Sequence, residues 1–313
     1  MKILVLGAGG VGGYFGGRLA EAGADVSFLV RPKRAAQLAA TGLVIRSPVG
    51  DLTRPVTTVL ASDVRPDYDL IMFTCKAYDL EDAIKAISPA MGPDTALLPF
   101  LNGVKHMDRL DQAFGRERVL GGVAQISATL NASGEVVQLN ELHVVIFGDR
   151  DAATSPRCER LAAIMAGAKF DSRLSPVIEF ELWEKFVLLT TLAGMTCLMR
   201  AGVGPIVRAA DGEALMLEML EECRSISAAE GFDPRPEFMQ RIRAYLTDRT
   251  RPFTASMLRD IEKGGPIEGD HIVGDMLVRA RRHGIAAPLL RVAVCHLQAY
   301  ELVRKDTRKP DAP

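Results

Sequence analysis

"KILVLGAGGVGGYFGGRLAEAGADVSFLVRPKR", Lys2–Arg34, decides how the first half of this chain folds. It opens on a short apolar run, Ile3–Leu6, of the kind that folds as a buried strand. Glycines crowd the next seven positions, Gly7–Gly13. "YFGGRLAEAG" then reads as a helix closed by Gly23, and "DVSFLV" as a second strand. Within this unit Gly7, Gly9 and Gly12 match the spacing GxGxxG. Gly7 suits a tight turn, Gly9 a close backbone approach to a pyrophosphate, and Gly12 close packing of helix on strand. The helix N-terminus would offer free N–H groups and a positive dipole end to the phosphates. Alone the spacing is weak, because glycine turns are common. Set between a strand and a helix, it predicts a dinucleotide cradle.

The second strand ends at Arg31, with Lys33 and Arg34 close behind. An acidic residue there would serve a ribose 2′-hydroxyl and repel a 2′-phosphate. A guanidinium can bind that phosphate bidentately. The sequence therefore favours NADP(H) over NAD(H), with Arg31 as the reader and Lys33 or Arg34 as candidate helpers. The competing reading is a solvated basic loop.

The pattern continues downstream. "GLVIRSPVGDLTRPVTTV" reads as a hairpin turning at Pro48–Gly50. "DLIMFTCKAYDL" reads as a buried strand ending at Lys76, and "TALLPFLNGV" as one ending at Asn102-Gly103. In open parallel sheets ligands gather at the carboxyl ends of strands. Gly7, Arg31, Lys76 and Asn102 all fall at such ends. Val119–Gly148 alternates and turns, and predicts antiparallel strands closing the sheet. A helix capped by Ser155 and a last strand, "KFDSRL", bring the first domain to 1–174. From there to residue 313 helical periodicity dominates, and the tail Asp306–Pro313 is expected to be disordered. The fold class is thus α/β: an N-terminal Rossmann-type domain followed by an all-helical domain, 175–313. Two such domains are expected to leave a cleft for a small substrate.

Composition narrows the partners. The 313 residues carry a formal net charge of -1, with 25% charged and 48% hydrophobic residues. Nothing there calls for nucleic acid or an anionic membrane. Five scattered cysteines without a CxxC pair suggest reduced thiols in a cytoplasmic protein. No HExxH spacing is present, so no metal is expected. Met1-Lys2 runs straight into "ILVLG", which predicts no secretory leader. The uncharged run Phe186–Met199 is short for a membrane span and reads as a core helix.

Lys185 heads that uncharged run. Glu181, four residues earlier, could make it one half of an ordinary surface pair. Its helical face also holds Leu182, Leu189, Leu192 and Thr196, which belong to a core. Burial there would lower the lysine pKa toward the range of a useful acid.

Taken in order, "MKILVLGAGGVGG", Arg31, "TCKAYD", "LNGV", "ELWEKF" and "SMLRDIEKGGPIEGD" resemble the ketopantoate reductase (2-dehydropantoate 2-reductase) family over nearly the whole chain. The resemblance implies NADPH-dependent reduction of a 2-oxo acid to a 2-hydroxy acid, on the way to pantothenate and coenzyme A. It implies that Arg31 binds the 2′-phosphate, and that Lys76 and Asn102 lie along the cofactor, Asn102 also beside the substrate carbonyl. It implies Lys185 as general acid, Ser256 as a substrate-binding serine, and Glu268 as the acid that contacts substrate and lysine. Asp270 competes for the Glu268 role, and Ser256 could be a plain first-turn serine.

Three positions depart from the family pattern. Leu189, Ala193 and Phe253 stand where relatives often carry asparagines. The cofactor side is kept while the substrate side is more apolar. A paralogue reducing a less polar 2-oxo acid or ketone is therefore an alternative. A further alternative, of another class, is a non-enzymatic NADP(H)-binding redox sensor, which would have no use for Lys185, Ser256 and Glu268 together. The helical half could form a homodimer surface, though no exposed stripe marks one.

Overall fold

The computed structural model describes residues 1–151 and 154–307. The chain divides into two compact units. The first takes Met1–Leu101 and His106–Glu179; the second takes Asn102–Lys105 and the chain from Phe180 onward. The division falls just inside a helix, a few residues past the junction read from sequence.

The first unit is built on two sheets. Strands β1 (Lys2–Leu6), β2 (Asp25–Leu29), β5 (Thr57–Val59), β6 (Leu70–Phe73) and β7 (Ala96–Pro99) pair in the order β5-β2-β1-β6-β7. Every pairing in it is parallel. β6 and β7 are buried at every position, as continuous apolar runs in parallel sheets are. Between β1 and β2 runs α1 (Gly10–Glu21), followed by α2 (Pro32–Thr41), α3 (Leu80–Ile87), α4 (Lys105–Phe114) and α5 (Pro156–Met165). The order reverses at β1, with β2 on one side and β6 on the other. That reversal is the switch point at which such sheets bind ligands. It lies beside Gly7.

The second sheet holds β3 (Leu43–Arg46), β4 (Leu52–Arg54), β8 (Gly121–Leu130), β9 (Val136–Gly148) and β10 (Asp171–Leu174). β3 and β4 form the expected hairpin. β8 and β9 are antiparallel as expected, but they do not close the first sheet. β9 is 13 residues long and pairs β8, β3 and β10. A strand's own alternation fixes which face is buried, not which neighbour it joins. The strand before Asn102 also stops early, at Pro99.

The second unit is helical: α6 (Ile178–Met199), α7 (Val203–Arg208), α8 (Gly212–Ala229), α9 (Pro236–Leu246), α10 (Ser256–Glu262), α11 (Asp275–Arg282) and α12 (Pro288–Asp306). One wide π turn, Asp270–Gly274, leads into α11. α6 is long and apolar enough to cross a bilayer, yet 72% of its most apolar window is buried, as in a core helix. Asp306, expected to begin a disordered tail, is instead the last residue of α12, and 308–313 lie outside the described residues.

Candidate active site

The first unit supplies a nucleotide cradle. Gly7 has φ +87°, a conformation that only glycine adopts freely, and its N–H donates to the Leu29 carbonyl at 2.9 Å. A Cβ on Gly12 would lie 2.3 Å from Thr74 Oγ1 and 2.4 Å from the Gly7 carbonyl oxygen. The start of α1 is therefore pressed onto the loop, and only glycine fits. A Cβ on Gly9 would meet nothing within 4 Å. The space above Gly9 is open, and the first turn of α1 holds no acidic residue. These residues fit a dinucleotide pyrophosphate.

The basic residues behind the cradle separate into two kinds. Arg31 stands at the N-cap position of α2, and its exposed guanidinium lies 3.2 Å from the carboxylate of Asp79. Arg34 is committed to the backbone instead. It donates to the carbonyls of Ala8 at 2.8 Å and Gly134 at 2.7 Å, and to Gln37 Oε1 at 2.7 Å. It braces the glycine loop and the β8–β9 turn, which corrects its candidacy as a 2′-phosphate helper. Lys33 is exposed, and so is Lys76, which precedes the short turn Ala77–Asp79.

The second unit supplies an acid–base cluster on α6. Trp183 stacks on Phe232 with ring centroids 5.3 Å apart and lies under Arg279 at 5.0 Å. Buried Glu184 accepts two bonds from the Arg235 guanidinium, at 2.7 and 2.6 Å. These contacts fix the rotation of α6 at the next residue, Lys185. Burial lowers the Lys185 pKa to about 8, and the charge of Glu268 partly opposes that fall. Glu181 is itself buried, so the pair expected for a surface lysine is not a surface one.

Glu268 and Asp270 have different surroundings. Glu268 is buried and acts on Lys185. Asp270 is exposed and accepts a hydrogen bond from Gln298 at 2.9 Å. Asn102, three residues past β7, belongs with this unit, where its main chain hydrogen-bonds to His271. Ser256 starts α10 and is exposed. The neighbouring Ala255 N–H donates to the Thr196 hydroxyl, eleven residues beyond Lys185 on α6. Leu189 is half-buried, Ala193 buried and Phe253 exposed.

Sequence reasoning missed His271 and Asp79. Asp79 stood within the quoted "TCKAYD", and His271 directly after the last residue of "SMLRDIEKGGPIEGD". Nothing in their spacing marked them, because a π turn breaks the helical period and an ion pair 48 residues apart leaves no local pattern.

The sequence model described as "Ketopantoate reductase PanE/ApbA" matches residues 3–152, and its C-terminal counterpart matches residues 178–301. The chain belongs to the ketopantoate reductase family. Among its relatives is an "Uncharacterized oxidoreductase YkpB" of Bacillus subtilis (strain 168), 36% identical over 96% of this chain and 99% of the relative. A 2-dehydropantoate 2-reductase of Archaeoglobus fulgidus is 28% identical over 91% of this chain and 92% of its own. The crystal structure of a PanE/ApbA family ketopantoate reductase from Ralstonia eutropha JMP134 superposes with a TM-score of 0.87, at 26% identity, covering 97% and 100% of the two chains. The family thus accounts for the two-domain α/β-plus-helical architecture and for oxidoreductase chemistry.

Proposed function

We propose that this protein reduces a 2-oxo acid to a 2-hydroxy acid with NADPH, with 2-dehydropantoate as the leading substrate. The observation that carries the reading is Lys185: a half-buried residue on an apolar helix, whose amine is desolvated so that its pKa falls to about 8, with the charge of Glu268 acting on it. A structural lysine gains nothing from such burial. A proton donor does, because its pKa is brought near the working pH.

When bound, NADPH supplies the hydride to the substrate carbonyl carbon. Negative charge then grows on the carbonyl oxygen, and the Lys185 ammonium would stabilise it and donate the proton. Glu268 would keep enough of Lys185 charged and orient it. Gly7, Gly9 and Gly12 would hold the pyrophosphate, with Lys76 along the cofactor. Arg31 would hold the 2′-phosphate, sharing its guanidinium with Asp79. Asn102 and Ser256 would hold the substrate.

One observation favours a second reading, a less polar 2-oxo acid. The positions one helical turn beyond Lys185 are Leu188 and Leu189, and both keep part of their surface. Apolar side chains there favour an apolar substituent on the acid. A non-enzymatic NADP(H)-binding sensor fits less well, since a sensor has no need for a buried amine of lowered pKa.

The test is to follow nicotinamide absorbance with purified protein, NADPH or NADH, and a panel of 2-oxo acids that includes 2-dehydropantoate and apolar analogues. Turnover of none of them would sink the reductase reading.

A further inference from the structure

We propose that His271 is a positioning residue: its buried imidazole ties the Asn102–Gly103 turn to the turn of chain that carries Glu268. The consequence for catalysis rests on the reductase reading; the tie itself does not.

Three observations converge on it. First, His271 N–H and Ile272 N–H donate to the Glu268 carbonyl at 3.1 and 3.0 Å. Glu268 and His271 therefore belong to one turn, and neither moves without the other. The π turn Asp270–Gly274 that follows is wider than an α turn, a feature often retained where side chains must be re-aimed. Second, the His271 ring hydrogen-bonds to the main chain of Asn102. That bond favours the protonated ring, so the ring N–H donates and the Asn102 carbonyl accepts. Third, Gly103 sits directly on His271. Its φ is +79°, and a Cβ there would lie 3.3 Å from the His271 carbonyl oxygen and 3.6 Å from its Cδ2. A side chain at 103 would push the turn off the ring.

The charges around the ring decide its working state. Burial lowers the His271 pKa; Glu268 and Asp275 oppose this, and Lys105 adds to it. Lys105 starts α4, Asp275 starts α11, and Glu268 leads into the π turn. The net shift is downward, so the ring is neutral at neutral pH, with one N–H for the Asn102 carbonyl. On acidification an imidazolium would form beside Glu268 and compete with Lys185 for the same carboxylate.

The experiment compares wild type with His271→Phe, which fills the space without a donor, and His271→Gln, which keeps an N–H donor and cannot titrate. Amide hydrogen exchange is read over Gly103–Lys105 in the free protein. His271→Phe should speed exchange there by about tenfold, the loss expected for one buried hydrogen bond, and His271→Gln should restore most of the protection. Unchanged exchange in His271→Phe would overturn the tie. In turnover assays His271→Gln should lose the acid limb of kcat/KM, and an acid limb identical to wild type would overturn the titration claim. Should His271→Phe fail to fold, the pH profile of His271→Gln carries the test alone. If exchange responds as expected but wild type reduces no 2-oxo acid, the tie stands and the reductase reading falls.

Discussion

Arg31 and Asp79 form an ion pair at 3.2 Å, beyond the ends of β2 and β6, the two strands that flank β1, and 48 residues apart in sequence. Both side chains are exposed, 79% and 38%, so the pair adds little to stability. Its weight falls on the cofactor. A 2′-phosphate held by Arg31 must share the guanidinium with a carboxylate, or displace it. Arg31→Ala should weaken NADPH binding by about tenfold, as loss of one charged hydrogen-bond donor implies. NADH binding should stay within about twofold, since no phosphate is lost. Asp79→Asn should tighten NADPH by up to about fivefold by removing a like charge near the phosphate. Fluorescence titration of wild type and both variants with each nucleotide reads all six constants. Equal effects on NADPH and NADH would show that another residue reads the 2′ position.

Arg34 sits three residues from Arg31 and is predicted to behave differently. Its guanidinium serves the carbonyls of Ala8 and Gly134. Arg34→Met would leave those partly buried acceptors without their donor, at a cost of about 2–3 kcal/mol. A thermal melt should therefore fall, and NADPH and NADH should weaken together because the glycine loop has lost its brace. Selective loss of NADPH would return Arg34 to the 2′-phosphate site.

The glycine loop allows a paired test. At Gly9 an added methyl meets open space, whereas at Gly12 it meets Thr74 Oγ1 and the Gly7 carbonyl well inside contact distance. Gly9→Ala should keep the wild-type melting temperature and lose nucleotide binding, because the methyl occupies the space a pyrophosphate would need. Gly12→Ala should lose both, with overpacking costing about 1–3 kcal/mol. Differential scanning calorimetry with and without NADPH separates the two outcomes. Nucleotide binding retained by Gly9→Ala would mean that the phosphates lie elsewhere.

The parts of this molecule that sequence made legible are those set by local rules. Gly7 needs a positive φ, β6 needs burial on both faces, and β3 and β4 need only a short turn between them. Each leaves its mark within a few residues. The β8–β9 strands were legible as a pair but not as members of a second sheet, since partner choice depends on β3 and β10 far away in sequence. The same holds at the site. Lys185 stood out because one charge among apolar residues breaks a local pattern. Glu268 and Asp270 could not be told apart, because they differ only in which way the chain turns around them, and that turn is a π turn. Arg31 and Arg34 are chemically identical and only three residues apart; the carbonyls near Arg34 distinguish them.

Lys185 yields a prediction about stability that is opposite in sign to the one about activity. Its pKa falls from an ordinary 10.5 to about 8 on folding, chiefly by burial. Between those values the unfolded chain binds more protons than the folded one, so stability from this group rises with pH through that window. Below about pH 8 both states carry the proton, and the buried charge costs on the order of 3 kcal/mol, at about 1.4 kcal/mol per unit. Lys185→Met should therefore raise the melting temperature at pH 7, and the gain should vanish as the pH passes 10.5. The same change should lower kcat by about 10²-fold or more, because the proton donor is gone. In wild type, kcat/KM should fall tenfold per unit above about pH 8, as the ammonium is lost, and hold level below that until the acid limb set by His271 begins. Thermal melts of both proteins across pH 6–11, beside a pH–rate profile, measure the two effects together. A variant that is less stable than wild type at neutral pH would place the amine in a stabilising ion pair and remove the case for a desolvated acid. A variant with nearly full turnover would move the proton donor to another residue.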